Sequence, residues 1–284
     1  MRYGVHVHNF GPYSNPRYLA ELAHEAEEAG WDGFFVCDHL TARAAERGPE
    51  PVANPWIALA AIAVATNQVL LGPLVAALPR RRPWQLASEV VTLDQLSGGR
   101  VILGVGSGTG LQNSFEPFHE EMNLRTRADL LDESLDVLAG LWSGEPFSYQ
   151  GKHFQLDNVT FLPRPVQGSR VPIWVGCTWP HQRPFRRAAR YDGFFADVEG
   201  VDWLHDIMTP DDLRTMTEYT RSQRTAEGPF EVVIGGHSPP DLKAAAARLA
   251  PYVEAGLTWW IEGIHPSFGS VDDLRHQIRQ GPPR

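Results

Sequence analysis

Residues 93–108 read LDQLSGGRVILGVGSG. A helix ends at Leu96, and the chain turns through Ser97, Gly98 and Gly99. A β-branched strand, Arg100 to Val105, follows at once and runs into a glycine-rich tip, Gly104-Val105-Gly106-Ser107-Gly108. Glycine at alternate tip positions removes side chains where a flat ligand can lie against backbone.

The same alternation of helix and strand extends in both directions. Strand one is Tyr3 to His8. Helix one follows Asn15-Pro16, an N-cap and N1 proline pair, and ends near Gly30. Strand two is Gly33 to Cys37, helix two runs from Asn54-Pro55 to about Thr66, strand three is Val69 to Val75, and helix three starts near Pro83. Beyond the quoted stretch, a polar segment over 107–127 precedes helix four, about Ala128 to Trp142. Strand five is Pro172 to Val175, helix five Pro180 to Arg190, and strand six Gly193 to Ala196. Helix six runs from Thr209-Pro210 to about Arg224, strand seven from Phe230 to Ile234, and helix seven from Pro240 to Ala255. Strand eight is Thr258 to Glu262, and helix eight is Ser270 to about Arg279. This count predicts one α/β domain over residues 1–284, a closed (β/α)8 TIM barrel. Residues 143–170, rich in Gly and Pro, break the rhythm and are expected to form an inserted excursion with a short hairpin between helix four and strand five. An open Rossmann sheet would carry its nucleotide fingerprint right after the first strand, where this chain has HNFGPYS.

Composition bounds the partners. A net charge of -9 offers no basic surplus to neutralise phosphates and argues against nucleic acid. The basic runs Arg80-Arg81-Arg82 and Arg186-Arg187 read as solvated faces. The two cysteines, Cys37 and Cys177, show no CxxC or Cys/His ligand spacing, so no metal and no disulfide framework is expected. MRYGVHVHNFG enters a strand without a signal-peptide core, and the longest apolar run, Ile57 to Ala65, is too short for a membrane span. A reducing cytoplasm is the expected location. Trp31, Trp142 and most other tryptophans read as packing residues; Trp56, Trp84 and Trp179 read as core or, alternatively, mouth-lining.

In a TIM barrel the site is built from the C-terminal ends of the strands. That rule selects His8 and Asn9, Cys37 to His39, Val75 to Leu78, Gly104 to Gly108, Gly176 to Trp179, Asp197 and Glu199, Gly235 to His237, and Glu262 to His265. The set is glycine-rich and poor in carboxylates, and it has no HExxH or DxD cluster, which disfavours metal hydrolysis. His39 can exchange a proton near neutrality. The structural alternative is that Asp38 caps the next turn and His39 only lines the mouth.

The helix-SGGR-strand-GxG unit resembles that of the bacterial luciferase-like flavin and deazaflavin oxidoreductases. So do VPIWVGCTW (171–179), FSYQGKHF (147–154), PRPVQ (163–167) and RAARYDGF (187–194). The resemblance implies that the Gly106-Ser107-Gly108 tip faces the flavin and that Asp38-His39 lies beside the reactive ring, with His39 catalytic. It implies a strand-three bulge within Val75-Ala76-Ala77, with a cis peptide, that buttresses the ring. It also implies that a Gly176-Cys177-Thr178 turn at the start of helix five takes the cofactor phosphate on free N–H groups. Cys177 departs from the usual small residue there. The implied activity is hydride transfer between coenzyme F420 and a small organic substrate, with FMN-dependent monooxygenation as the alternative and a non-catalytic flavin-binding partner protein as a further one. A hydrolase or isomerase would need paired carboxylates, for which Asp197 with Glu262 is the candidate. Substrate contacts are expected from 40–54, 107–127 and 143–170, and a homodimer is expected from the family.

Overall fold

A computed structural model describes residues 1–44, 48–109, 111–201 and 206–284. Parts of the expected substrate loops, 45–47 and 110, lie outside the described residues. In chain order the strands are β1 (Arg2–Val7), β2 (Gly33–Val36), β3 (Ala42–Ala44), β4 (Gly48–Glu50), β5 (Leu70–Pro73), β6 (Ala76–Ala77) and β7 (Leu103–Gly106). They continue with β8 (Phe147–Gln150), β9 (Gln155–Val159), β10 (Ile173–Trp179), β11 (Gly193–Val198), β12 (Glu231–Gly236) and β13 (Trp259–Ile264). The helices are α1 (Pro16–Glu28), α2 (Pro55–Ala65), α3 (Pro83–Ser97), α4 (Leu111–Ser114), α5 (Leu124–Trp142), α6 (Gln182–Ala188), α7 (Pro210–Gln223), α8 (Leu242–Glu254) and α9 (Val271–Gln280).

The main sheet is parallel, in the order β5-β2-β1-β13-β12-β11-β10-β7-β6. Its two end members, β5 and β6, are the halves of one strand, so the sheet curls round on itself. The seam is sewn between Leu71 and Val101: Leu71 N–H donates to Arg100 O, and Ile102 N–H donates to Leu71 O. Glycine permits this approach, because a Cβ on Gly72 would stand 1.8 Å from Ile102 O. Arg100 of the SGGR turn is buried and donates to Ala63 O, Thr66 O, Thr66 Oγ1, Val69 O and Ser97 O, tying the ends of α2 and α3 to the base of the third strand.

Helix starts follow the capping chemistry. Asn15, Asn54, Asn123 and Asp241 accept main-chain N–H bonds, and Thr209 and Ser270 form capping boxes. Gly98, at φ 69°, ends α3 in the left-handed region. Inside the barrel Phe35, Leu74, Ile102, Trp174, Val233, Trp259 and Ile261 fill one small core; the larger core lies between strands and helices. Trp31 and Trp142 are buried there. The inner core plugs the lower barrel and leaves its upper end open.

Several boundaries differ from expectation. Asn123 caps α5, so that helix starts at Leu124 rather than Ala128. A hairpin of β8 and β9 lies between α5 and β10. Strand β10 runs on to Trp179, paired with β11 through Thr178↔Asp197 and Trp179↔Val198, and α6 starts only at Gln182. Arg80 and Arg187 are not solvated: their side chains are 3% and 4% exposed, each in an ion pair. Among the described residues, no helix is long and apolar enough to cross a membrane.

Candidate active site

A cavity of about 440 Å³ opens at the C-terminal ends of the barrel strands, within the range typical of small-molecule sites. Asp38, His39, Val75, Ala77, Gly106, Ser107, Gly108, Gly176, Cys177 and Thr178 all line it. Ala76 does not; it is buried in the strand between two residues that do. Neither Trp56, Trp84 nor Trp179 is among the lining residues; Trp56 is buried under the Arg81 guanidinium.

The third strand changes partners at the cavity rim. Leu74 N–H still donates to Val36 O of β2. Beyond it the strand leaves β2, and β6 pairs with β7 alone through Ala76↔Val105 and Ala77↔Gly106. The Asp38 carboxylate fills the gap left on the β2 side. Its Oδ2 accepts Ala77 N–H at 3.1 Å, and its oxygens pair with Arg80 at 2.9 Å and Arg81 at 2.6 Å. Asp38 is thus an anchor for the strand-three end rather than a turn cap. The non-proline cis peptide is Leu74–Val75, one bond before the expected stretch.

Val75 stands at the centre of a glycine cradle. A Cβ on Gly106 would lie 2.8 Å from Val75 Cγ2, one on Gly104 would lie 3.2 Å from Val75 Cγ1, and one on Gly176 would lie 3.5 Å from Val75 Cγ2. The glycines therefore make room for Val75, which presents an apolar surface to the cavity; the sequence reading assigned that room directly to a ligand. Gly108, at φ 92°, sits against the Phe115 ring, and buried Arg127 donates to both Ser107 O and Gly108 O at 2.9 Å. The tip is held from behind by α5.

The expected phosphate turn is corrected. Gly176, Cys177 and Thr178 are residues of β10, not a turn at a helix N-terminus, and Cys177 Sγ donates to Val175 O. Burial pushes the Cys177 thiol pKa up, so the free thiol stays protonated at neutral pH. Glycine in a strand reads as a turn when the partner strand is unknown; β11 is what extends β10.

His39 is fixed at its backbone. Buried Asn9 donates to His39 O at 3.1 Å and to Ala53 O at 2.7 Å, and it accepts His39 N–H at 3.3 Å. The imidazole stacks on His8, with ring centres 5.8 Å apart, and meets Phe10 edge-on at 5.3 Å. Burial is the main influence on its pKa and lowers it, helped by Arg80 and His265 and opposed by Asp38. His39 is therefore largely neutral at pH 7 and able to accept a proton. His6, His8 and His265 complete a histidine group at this wall. His6 was not selected from sequence, yet the period of two along β1 points it to the same side as His8.

The carboxylate pair for a hydrolase is absent. Glu262 is buried on the outer side of β13, taking Ser238 N–H, Gln277 Nε2 and Trp260 Nε1, whereas Asp197 lines the cavity. Arg80, Arg81, Arg127 and Asn9 are the supporting residues that sequence reasoning left without a role.

A family model described as luciferase-like monooxygenase matches residues 1–248. An F420-dependent glucose-6-phosphate dehydrogenase of Nakamurella multipartita is 33% identical over 196 residues, 69% of this chain and 53% of the relative. An F420-dependent hydroxymycolic acid dehydrogenase of Mycobacterium tuberculosis is 32% identical over 188 residues, 65% of this chain and 50% of the relative. The chain spans about half the length of these curated relatives. A solved F420-dependent secondary alcohol dehydrogenase, in complex with an F420-acetone adduct, superposes with a TM-score of 0.78 at 19% identity, covering 99% of this chain and 98% of the other. At that identity the likeness shows the fold.

Proposed function

Because this chain belongs to the luciferase-like monooxygenase family, we propose that it is an oxidoreductase that uses coenzyme F420 to move a hydride to or from a small organic substrate. The observation that supports this most is that His39 and the Val75 surface face one cavity, each held by a separate buried anchor. The names of the relatives favour F420 over FMN. The cavity fits a flat ring: Val75 offers an apolar face, and the flanking glycines at 106 and 176 carry no side chain that competes for it. When bound, the deazaflavin supplies a hydride donor or acceptor carbon.

The protein's part is positioning and proton movement. Val75, seated on its cradle, would offer the apolar surface against which the ring rests. Ser107 and Gly108, held by Arg127, would border the ring at the end of β7. On the neighbouring strand β10, Thr178 also lines the cavity. In the oxidative direction, neutral His39 would accept the hydroxyl proton of an alcohol substrate; in reverse it would return that proton to the carbonyl oxygen. The Asn9 bonds hold the ring in place through both.

The reading includes a reducing cytoplasmic location and a homodimer. Two free cysteines agree with the first, and the exposed Ile57 and Val64 of α2, 63% and 69% exposed, are apolar residues that a second copy would cover. The deciding experiment is fluorescence titration of the purified protein with F420 and, separately, FMN. F420 is expected to bind at least tenfold more tightly, about 1.4 kcal/mol. Tighter binding of FMN reverses the assignment toward monooxygenation, and binding of neither removes the oxidoreductase reading.

A further inference from the structure

The cavity wall beneath His39 holds chemistry that the proposed reaction does not use. Strand β1 and the residue after it bring His6 and His8 to one side, and Cys37 follows directly on β2. Cys37 Sγ lies 3.2 Å from His6 Nε2 and 3.6 Å from His8 Nδ1. One ligand atom from each of His8, Cys37 and His39 lies within 4.8 Å of the other two. His8 and Cys37 are 8% and 7% exposed, and all three residues border the cavity.

We propose that His8, Cys37 and His39 form a three-ligand site for a thiophilic cation, Zn²⁺ above all, with a fourth position open to the cavity. Zinc bound tetrahedrally, with sulfur at about 2.3 Å and nitrogen at about 2.05 Å, spaces a sulfur and a nitrogen ligand about 3.6 Å apart and two nitrogens about 3.4 Å apart. The Cys37–His8 pair already has that spacing, at 3.6 Å. His39 is the ligand that has to close in, and it is the one of the three that is not buried. His6, nearer to the sulfur, is placed to hydrogen-bond it, a contact that steadies a metal-bound thiolate.

Three protein ligands and one open position are the arrangement of zinc sites that exchange a water or a substrate, not of closed structural ones. A thiolate with imidazoles suits zinc or copper(I) and not magnesium or calcium, which take oxygen ligands. On binding, the Sγ–H bond breaks, the sulfur lone pair bonds the metal, and the proton leaves to water. His39 would then be engaged by the metal, so occupancy and proton transfer exclude one another. That consequence rests on the proposed function, whereas the site itself does not.

The test uses the full chain, stripped with a chelator, with no F420 or substrate present. Co²⁺ is the optical probe. A single Co²⁺ per chain is expected, with a thiolate-to-cobalt charge-transfer band and the visible absorption of tetrahedral cobalt, both abolished by equimolar Zn²⁺. Cys37→Ser should remove the charge-transfer band, and Cys177→Ser should keep it. His39→Ala should keep the band and bind Co²⁺ at least tenfold more weakly. The proposal is overturned by no band in the wild type, by a band that survives Cys37→Ser, or by wild-type affinity in His39→Ala. If Cys37→Ser does not fold, the His39→Ala comparison decides. Because F420 is absent throughout, failure here is separate from failure of the cofactor titration.

Discussion

Replacing Asp38 by Ala removes one carboxylate and leaves two cations behind. The Asp38 side chain is 1% exposed, that of Arg80 3% and that of Arg81 17%. Breaking a buried ion pair from one side costs about 3–5 kcal/mol, mostly because the remaining charge stays desolvated. Two features hold the cost near the lower end. Arg80 keeps its hydrogen bond to the main-chain oxygen of residue 38 and its place over the Phe115 ring, and Arg81 can lean on Glu89, 3.7 Å away. The expected loss is therefore about 3 kcal/mol. An unfolding entropy of about 2.1 cal/mol/K per residue amounts to roughly 0.6 kcal/mol/K for this chain, so Tm should fall by about 5 °C. Ala77 N–H also loses its acceptor, which releases the strand end that carries Val75. F420 affinity should drop at least tenfold. Asp38→Asn keeps an oxygen for Ala77 and should show a smaller loss on both readouts. Thermal melts and fluorescence titration on the three proteins measure this. An Ala variant melting within about 1 °C of wild type would refute the buried-anchor argument.

His39→Ala should lower turnover by about 10²–10⁴-fold, the usual contribution of a general acid–base group, with F420 affinity and Tm little changed; unchanged turnover in steady-state assays would make His39 a bystander. Gly106→Ala places a methyl 2.8 Å from Val75 Cγ2 and should weaken F420 binding with a stability cost of about 1–3 kcal/mol. Adding Val75→Ala should restore the stability but not the binding, and a double mutant no more stable than Gly106→Ala would count against the cradle. Arg275 and Arg279 hold the Glu25 carboxyl down at about 2, against 4.5 when unpaired, and so tie α9 to α1. A lowered acid pKa stabilises the fold above pH 4.5, and that contribution fades as pH falls toward 2. After solvent screening it amounts to on the order of 1 kcal/mol. The stability gap between wild type and Glu25→Gln, read from urea melts, should be open at pH 6, shrink to roughly a quarter by pH 2.5 and close only below pH 2.

Much of the barrel was legible because its signals are local. Asn15-Pro16, Asn54-Pro55 and Gly98 mark helix ends through their own backbone chemistry, and the strands between them are β-branched. Strand ends then located Asp38, His39 and Gly106 at the mouth. What the sequence hid depends on distant partners. Arg80, Arg127 and Arg187 look like surface charges until Asp38, the Ser107 and Gly108 carbonyls, and Asp132 are brought to them. Gly176 reads as a turn because nothing local announces that β11 pairs with the chain as far as Trp179. Cys37 shows no ligand spacing because its neighbours, His6 and His8, come from another strand. Glu262 and Asp197 could not be separated by sequence, since β13 and β11, on either side of β12, aim them to opposite sides of the sheet.

At the cavity rim, the place of a neighbouring strand is taken by the carboxylate of Asp38. Main-chain ladders are indifferent to sequence: every residue but proline carries the same donor and acceptor. A ladder position supplied by a side chain is instead encoded by one codon. The height and tilt of the Val75 platform are therefore heritable in a way that the rest of the barrel's strand geometry is not. Small changes at residues 38, 80 and 81 can re-aim that platform without altering Val75 or its glycines, while the seam at Gly72 keeps the barrel shut below. In such an architecture, new specificities can arise from behind the site as readily as from the loops above it.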